Sequence, residues 1–364
     1  MTRILRTLIS LRMVVACLAI LMVLVFWGTL YQVRFGLFAA QEKFFYSWIF
    51  LQFGWFPLPG AQLVLAVLFV NLTASMLFRF RFGMRQAGII LIHLGLMLLL
   101  AGGWYTHRFG EESYLALVEG EGSNVTSDYR AWELSLSDSI EVEREITGFD
   151  TRGTSSGTVF RAERFALEIE AGTYHSNCSA YQGGASSNHT VNASDITSLK
   201  HADPNRDPEA NVPGMICTVR DRAGDATDLL LFGGDPIPTL IETADGPVYF
   251  QLRRKRYPLP IFIHLIDFER SYHTGSSTAK SFESKIEVHV GEVVREVLVE
   301  MNKPFRFQGY TFFQASFEAL DSGIELSQFA VTRNFGRLIP YFATGFTVVG
   351  LAVHFLLQMA VRKR

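Results

Sequence analysis

Two histidines sit where ionisable side chains are costly. His93 lies in AGIILIHLGLMLLLAGGW (Ala87–Trp104), whose other residues are all Ala, Gly, Ile, Leu, Met or Trp. His354 lies in GLAVHFLLQMAVRKR at the C-terminal end. His93 comes eight residues after Arg85, and His354 eight residues before Arg362. At about 1.5 Å per residue, each imidazole is about 12 Å from the basic end of its helix, so the two share a depth on antiparallel segments. Neutral imidazoles held level from opposite sides can ligate a haem iron on both faces, as a bis-histidine haem b. Gly350, four residues before His354 on the same helix face, would leave room for the flat ring. Arg79, Arg81 and Arg85 are candidate partners for its propionates. The same histidines also fit a hydrogen bond to a neighbouring helix, at Asn71 or Thr344, or a proton relay.

The elements that must position this pair are four apolar runs, Met13–Leu30, Leu63–Phe78, Ala87–Trp104 and Leu338–Val361. Each is about a bilayer's hydrocarbon thickness as a helix. The first is too long for a signal peptide and lacks a small-residue cleavage site, so it reads as a retained helix. Arg3, Arg6 and Arg12, then Arg79, Arg81 and Arg85, then Arg362-Lys363-Arg364 fall on one side if every run spans. Positive charge marks the cytoplasmic side, which puts both termini inside a bacterial cytoplasmic membrane. The expected fold class is therefore a four-span α+β membrane protein. Residues 1–105 would hold spans 13–30, 63–78 and 87–104 with an aromatic interfacial loop at 31–62. Residues 106–336 would form an extracytoplasmic β-rich domain, and 337–364 the last span with its basic tail. A net charge of −2 over 364 residues gives no sign of nucleic-acid binding.

Within the 31–62 loop, Phe44, Phe45, Trp48, Ile49 and Leu51 suggest a short interfacial helix ended by Pro57 and Pro59. The 106–336 region alternates apolar and polar residues in SYLALVEG, AWELSLS, FALEIEAG, IFIHLIDF, KIEVHVG, REVLVEM and IELSQFAV, which predicts a sandwich or open barrel. Val290-Gly291-Glu292-Val293 reads as a hairpin, 176–213 as a long loop, and Arg253-Arg254-Lys255-Arg256 as a solvated strand end. Cys178 and Cys217 are a candidate disulfide, while Cys17 sits in the first span. His107, at the outer end of the third span, is an interfacial anchor or an outer haem contact. His264 reads as a satisfied core histidine, and His175, His189, His201, His273 and His289 give no compact metal spacing. No nucleophile elbow, P-loop or paired carboxylates assign a catalytic residue.

Several stretches in order resemble the ResB (CcsB/Ccs1) family of cytochrome c biogenesis proteins. They are WGTLYQ, YSWIF, LFVNLTASMLFRF and IHLGLMLLLAG near the start, then PIFIHLIDF with SFESKIEV, then VEMNKPFRFQGYTFFQASF before the last span. The resemblance implies haem transport across the membrane with a ResC/CcsA partner and presentation to apocytochrome c. It also implies a thiol-reducing, thioredoxin-like protein that keeps the acceptor cysteines reduced. His93 matches the family's third-span histidine. The resemblance leaves open whether His354 or a partner histidine is the second haem ligand. A b-type electron-transfer subunit and a cofactor-free binding module are the alternative functions.

Overall fold

In the computed structural model the four apolar runs become helices, and the alternating runs become strands. The structure describes residues 3–80, 83–139, 146–182, 194–275, 279–319 and 324–362. Two compact units result: Met1–Glu111 with Arg333–Arg364, and Glu112–Thr332.

The first unit is helical. A short helix α1 (Arg3–Leu8) precedes α2 (Leu11–Phe35); then come α3 (Leu37–Ala40), α4 (Ala61–Phe78), α5 (Ala87–Phe109) and α6 (Ile339–Arg362). Helices α2, α4, α5 and α6 are long and apolar enough to cross a membrane, as expected for a membrane protein. Ser10 caps α2, its hydroxyl accepting from the Arg12 N–H. The break before it is held by Asn71, buried in α4, whose amide donates to the carbonyls of Leu8 and Ser10. Asn71 is thus spent on the α1–α2 turn and is no partner for His93.

Between α3 and α4 the expected interfacial helix is replaced. A π turn (Gln41–Phe45) leads into a hairpin of β1 (Ile49–Gln52) and β2 (Phe56–Pro59). Pro57 and Pro59 force the residues before them into extended backbone, and Phe53 and Gly54 take positive φ at the turn. Those local constraints outweigh the helical spacing of the aromatics.

The second unit is β. Its strands are β3 (Glu111–Val118), which begins at the unit boundary, β4 (Gly122–Ser137), β5 (Thr147–Asp150), β6 (Val159–Ala162), β7 (Leu167–His175), β8 (Cys178–Gln182) and β9 (Ile196–His201). They continue with β10 (Gly214–Arg220), β11 (Ala226–Phe232), β12 (Thr239–Thr243), β13 (Gly246–Tyr272), β14 (Ala279–Val290), β15 (Val293–Glu300), β16 (Phe305–Phe307), β17 (Tyr310–Ala319) and β18 (Glu325–Arg333). A four-stranded sheet runs β11-β10-β7-β6, and the main sheet runs β15-β14-β13-β4-β3-β18-β17-β16. The expected β14–β15 hairpin is present: Val290 pairs with Val293, and Gly291 turns at positive φ.

One strand serves two cores. The first half of β13, with β4, covers the small sheet over Leu134, Phe250, Ile169, Met215 and Leu229. The second half, from Leu259, closes a separate core with Leu265, Ile286, Phe312 and Phe329. Register shifts near Arg254 and Pro258 let the long strand bend from one core to the other. The 176–213 segment is not simply a loop, because β8 and β9 pair into a ribbon; residues 183–193, including His189, lie outside the described residues.

The basic run Arg253–Arg256 lies inside β13, not at a solvated end. Arg253 pairs with Glu133 across β4 at 3.0 Å, both side chains nearly covered. Arg254 lies over Trp132 at 4.2 Å and donates to the Glu209 carbonyl. Lys255 reaches Asp150, which Arg152 also binds at 2.6 Å. Hydrogen bonding from Arg152, helped by Lys255, lowers the Asp150 carboxyl to about 2. A depressed carboxylate stabilises the fold above its ordinary range near 4, and that contribution is lost as pH falls through about 2. Asp150→Asn should therefore destabilise the β unit at neutral pH, with the difference from wild type closing between pH 4 and pH 2 in denaturant titrations. A pH-independent difference would mean that the charge is not the cause.

Candidate functional site

The site begins with the spacing of glycines on α5. Gly88, Gly95 and Gly102 recur every seven residues and form one buried stripe. A side chain at Gly88 would collide with the backbone of His354 and with the Gly350 carbonyl; one at Gly95 with Thr347 and the Ala343 carbonyl; one at Gly102 with Ile339. The bare stripe lets α6 approach α5 backbone to backbone, the packing that small residues permit between membrane helices. Gly350 completes the seam: a Cβ there would stand 2.8 Å from both the Gly88 carbonyl and the Ile92 nitrogen. The space expected beside Gly350 for a flat ring is filled by α5 itself.

That seam fixes where both histidines go. His93 is five residues beyond Gly88 and two before Gly95, about 150° around the helix from the stripe. It therefore points away from α6. Its ring meets Phe80 edge-on at 4.8 Å, and its Nδ1 lies 2.8 Å from the Ile89 carbonyl. A carbonyl only accepts, so Nδ1 carries the proton and Nε2 keeps its lone pair. Nε2 makes no hydrogen bond among the described residues. His354 instead lies with its backbone against Gly88, about 7.5 Å along the helix from the level of His93. Its Nε2 accepts from the Gln358 amide at 3.1 Å.

The expected clamp between His93 and His354 is accordingly not formed. The two rings leave α5 and α6 on different sides and at different levels, with a closed glycine seam between the helices. A haem held by both does not fit this chain. At His93 the tautomer presents Nε2 as a lone-pair donor, and the other nitrogen is anchored. Arg79 and Arg85 are exposed at the same end of the unit, while Arg81 lies outside the described residues. The heptad of glycines was written in the sequence, and it is the signal that would have turned His93 away from α6.

At the opposite end of α5, His107 stacks on Tyr46 at 4.4 Å and accepts from the Gln62 amide at 3.1 Å. It ties the aromatic loop and the start of α4 to α5, which fits an anchor. The link to α6 is latched beside it. Asn334 accepts from the Gly336 N–H and meets Thr106, and Arg333 pairs with Glu111.

The cysteines correct another expectation. Cys17, Cys178 and Cys217 are all free and buried. Cys178 packs on Gly214, whereas Cys217 is three residues further along β10, about 10 Å away on an extended strand and beyond disulfide reach. Burial pushes the Cys178 thiol up to about 11 and that of Cys217 to about 12. His264 donates from Nε2 to the Gly120 carbonyl at 3.1 Å, with Glu287 3.6 Å from Nδ1, but it is half-buried on the outer face of β13 rather than in the core. Among the described residues no three His, Cys, Asp or Glu side chains gather as a metal site.

Thiol counting checks the cysteine assignment. The native protein should resist maleimide at pH 7 and yield three thiols once unfolded without reductant. Recovery of a single thiol would restore the disulfide.

A search of curated proteins finds no match to this chain. Residues 241–330, which run from β12 into β18, match the model described as the ResB-like family. They contain the PIFIHLIDF and VEMNKPFRFQGYTFFQASF stretches and most of the second β core. That segment is similar to the ResB-like family; three apolar helices precede it and one follows, and the match supports a role related to cytochrome c biogenesis in general.

Proposed function

We propose that the chain is a haem-handling membrane subunit of a cytochrome c synthase, working beside a ResC/CcsA-type partner. The observation that carries this reading is His93, a half-buried imidazole in an apolar helix with Nδ1–H anchored to Ile89 and with no hydrogen bond at Nε2 among the described residues. It faces away from α6, so a second nitrogen ligand would come from another chain. A ResB-family protein works with such a partner, which supports that source. Haem, when bound, supplies the iron porphyrin that is delivered to apocytochrome c. His93 would hold it, and Arg79, Arg81 and Arg85 are the residues that would pair with its propionates. His354 supports the α5–α6 contact rather than the iron.

In this reading the basic segments face the cytoplasm, as the positive-inside rule requires, and the β unit lies outside. There it docks the partner or the acceptor chain. Thioether formation needs reduced acceptor thiols, so a thioredoxin-like reductant belongs to the same system. The chain's own buried cysteines are unsuited to that task. The chain acts as an accessory subunit of the haem lyase, with no catalytic residue of its own.

Co-purification with the partner provides the test. His93→Gly should lose the low-spin Soret absorption, and added imidazole should restore it. His354→Ala should keep it if the protein stays folded. Loss in His354→Ala with retention in His93→Gly would reverse the ligand assignment.

A further inference from the structure

From Phe44 through Phe78 the chain contains no Asp, Glu, Lys, Arg or His. The β1–β2 hairpin in this run has two unlike faces. Phe50 and Leu58 are cross-strand partners and pack with Leu24 and Val64 of the helices. Ile49 and Leu51 point the other way, 60% and 55% exposed, and the turn leaves Phe53 and Trp55 at 76% and 74%. So much uncovered apolar surface on one hairpin is a poor neighbour for water.

The depth of the segment follows from what it touches. The Phe45 ring lies against Gly28, and the Phe44 ring meets Tyr31 at 5.3 Å. Gly28 and Tyr31 belong to α2, between Arg12 and Arg34. That interval is about 33 Å of helix, a bilayer's hydrocarbon thickness. The loop thus folds back onto helix residues about 4–9 Å inside the Arg34 end. Lys43, the nearest charge, has its ammonium over the rings of Tyr31 at 4.8 Å, Phe44 at 5.5 Å and Phe50 at 5.9 Å.

The backbone fits the same surroundings. Gly60 N–H donates to the Trp48 carbonyl, so Phe56 and Leu58, in the same alternation, face β1. Pro57 and Pro59 then face outward, and proline has no N–H. The outer edge of β2 is free of donors that would need water at those positions.

We infer that residues 41–59 form a re-entrant hairpin seated in the leaflet reached by the C-terminal end of α2, with lipid at the headgroup–acyl boundary covering Ile49, Leu51, Phe53 and Trp55. The inference rests on α2 crossing the bilayer and is independent of the haem reading. It is tested with nitroxide labels on the full chain in phosphatidylcholine nanodiscs, at Phe53→Cys and Trp55→Cys. Leu18→Cys, exposed on α2, is the lipid reference, and Val293→Cys, exposed on β15, is the water reference. The native cysteines are buried and serve as a blank. At the hairpin, collisions with oxygen should exceed those with a nickel chelate, as at Leu18→Cys and inverted from Val293→Cys. An excess of nickel collisions would put the tip in water, and suppression of both would mean that protein covers it; either result overturns the proposal. If one hairpin variant fails to fold, the other gives the same reading.

Discussion

Backbone contact between α5 and α6 depends on three missing side chains. Gly88, Gly95 and Gly102 fall on one line, and Gly350 faces them from α6. No large hydrophobic driving force joins helices in lipid, so close van der Waals approach has to do that work. A methyl group at any of these positions meets backbone or a branched side chain within contact distance. Overpacking of that kind costs about 1–3 kcal/mol, a large share of a fold's margin. The seam therefore sets the rotation of α5 and the height of α6 together, and the remaining chemistry of the helical unit follows from that setting.

The consequence for the histidines is specific. With the stripe turned toward α6, the opposite face of α5 carries His93 toward Phe80, and its anchored Nδ1 leaves Nε2 without a hydrogen bond among the described residues. His354 falls on the seam, its backbone beside Gly88 and its Nε2 already accepting from Gln358. Among the described residues this region therefore offers one ready nitrogen donor rather than two.

Much of this architecture was legible in the sequence, because its patterns are long. Four apolar runs, period-two strands and the Gly291 turn each repeat a local rule over many residues. A matched depth for His93 and His354 was read from the sequence as well, but counting along helices ignores rotation and stagger; the glycine stripe decided both and set the two at different levels. The basic run at Arg253 looked solvated because its partners, Glu133, Trp132 and Asp150, lie more than 100 positions away. The division of β13 between two cores was hidden for the same reason: an alternating pattern shows that one face is buried, not which core it joins. Cys178 and Cys217 could be counted, but only the register of β10 separates them.

Oxidative cross-linking in native membranes tests the seam most directly. An ideal Cβ at Gly102 stands 3.0 Å from the Cβ of Ile339, so a shift of under about 1 Å brings the pair to the Cβ separation of a disulfide, about 3.5–4.5 Å. The pair Gly102→Cys with Ile339→Cys should cross-link rapidly under copper-phenanthroline, whereas His93→Cys with His354→Cys should not. Efficient bonding of the second pair without the first would mean that the histidines face each other and that the helix rotation described for α5 is wrong.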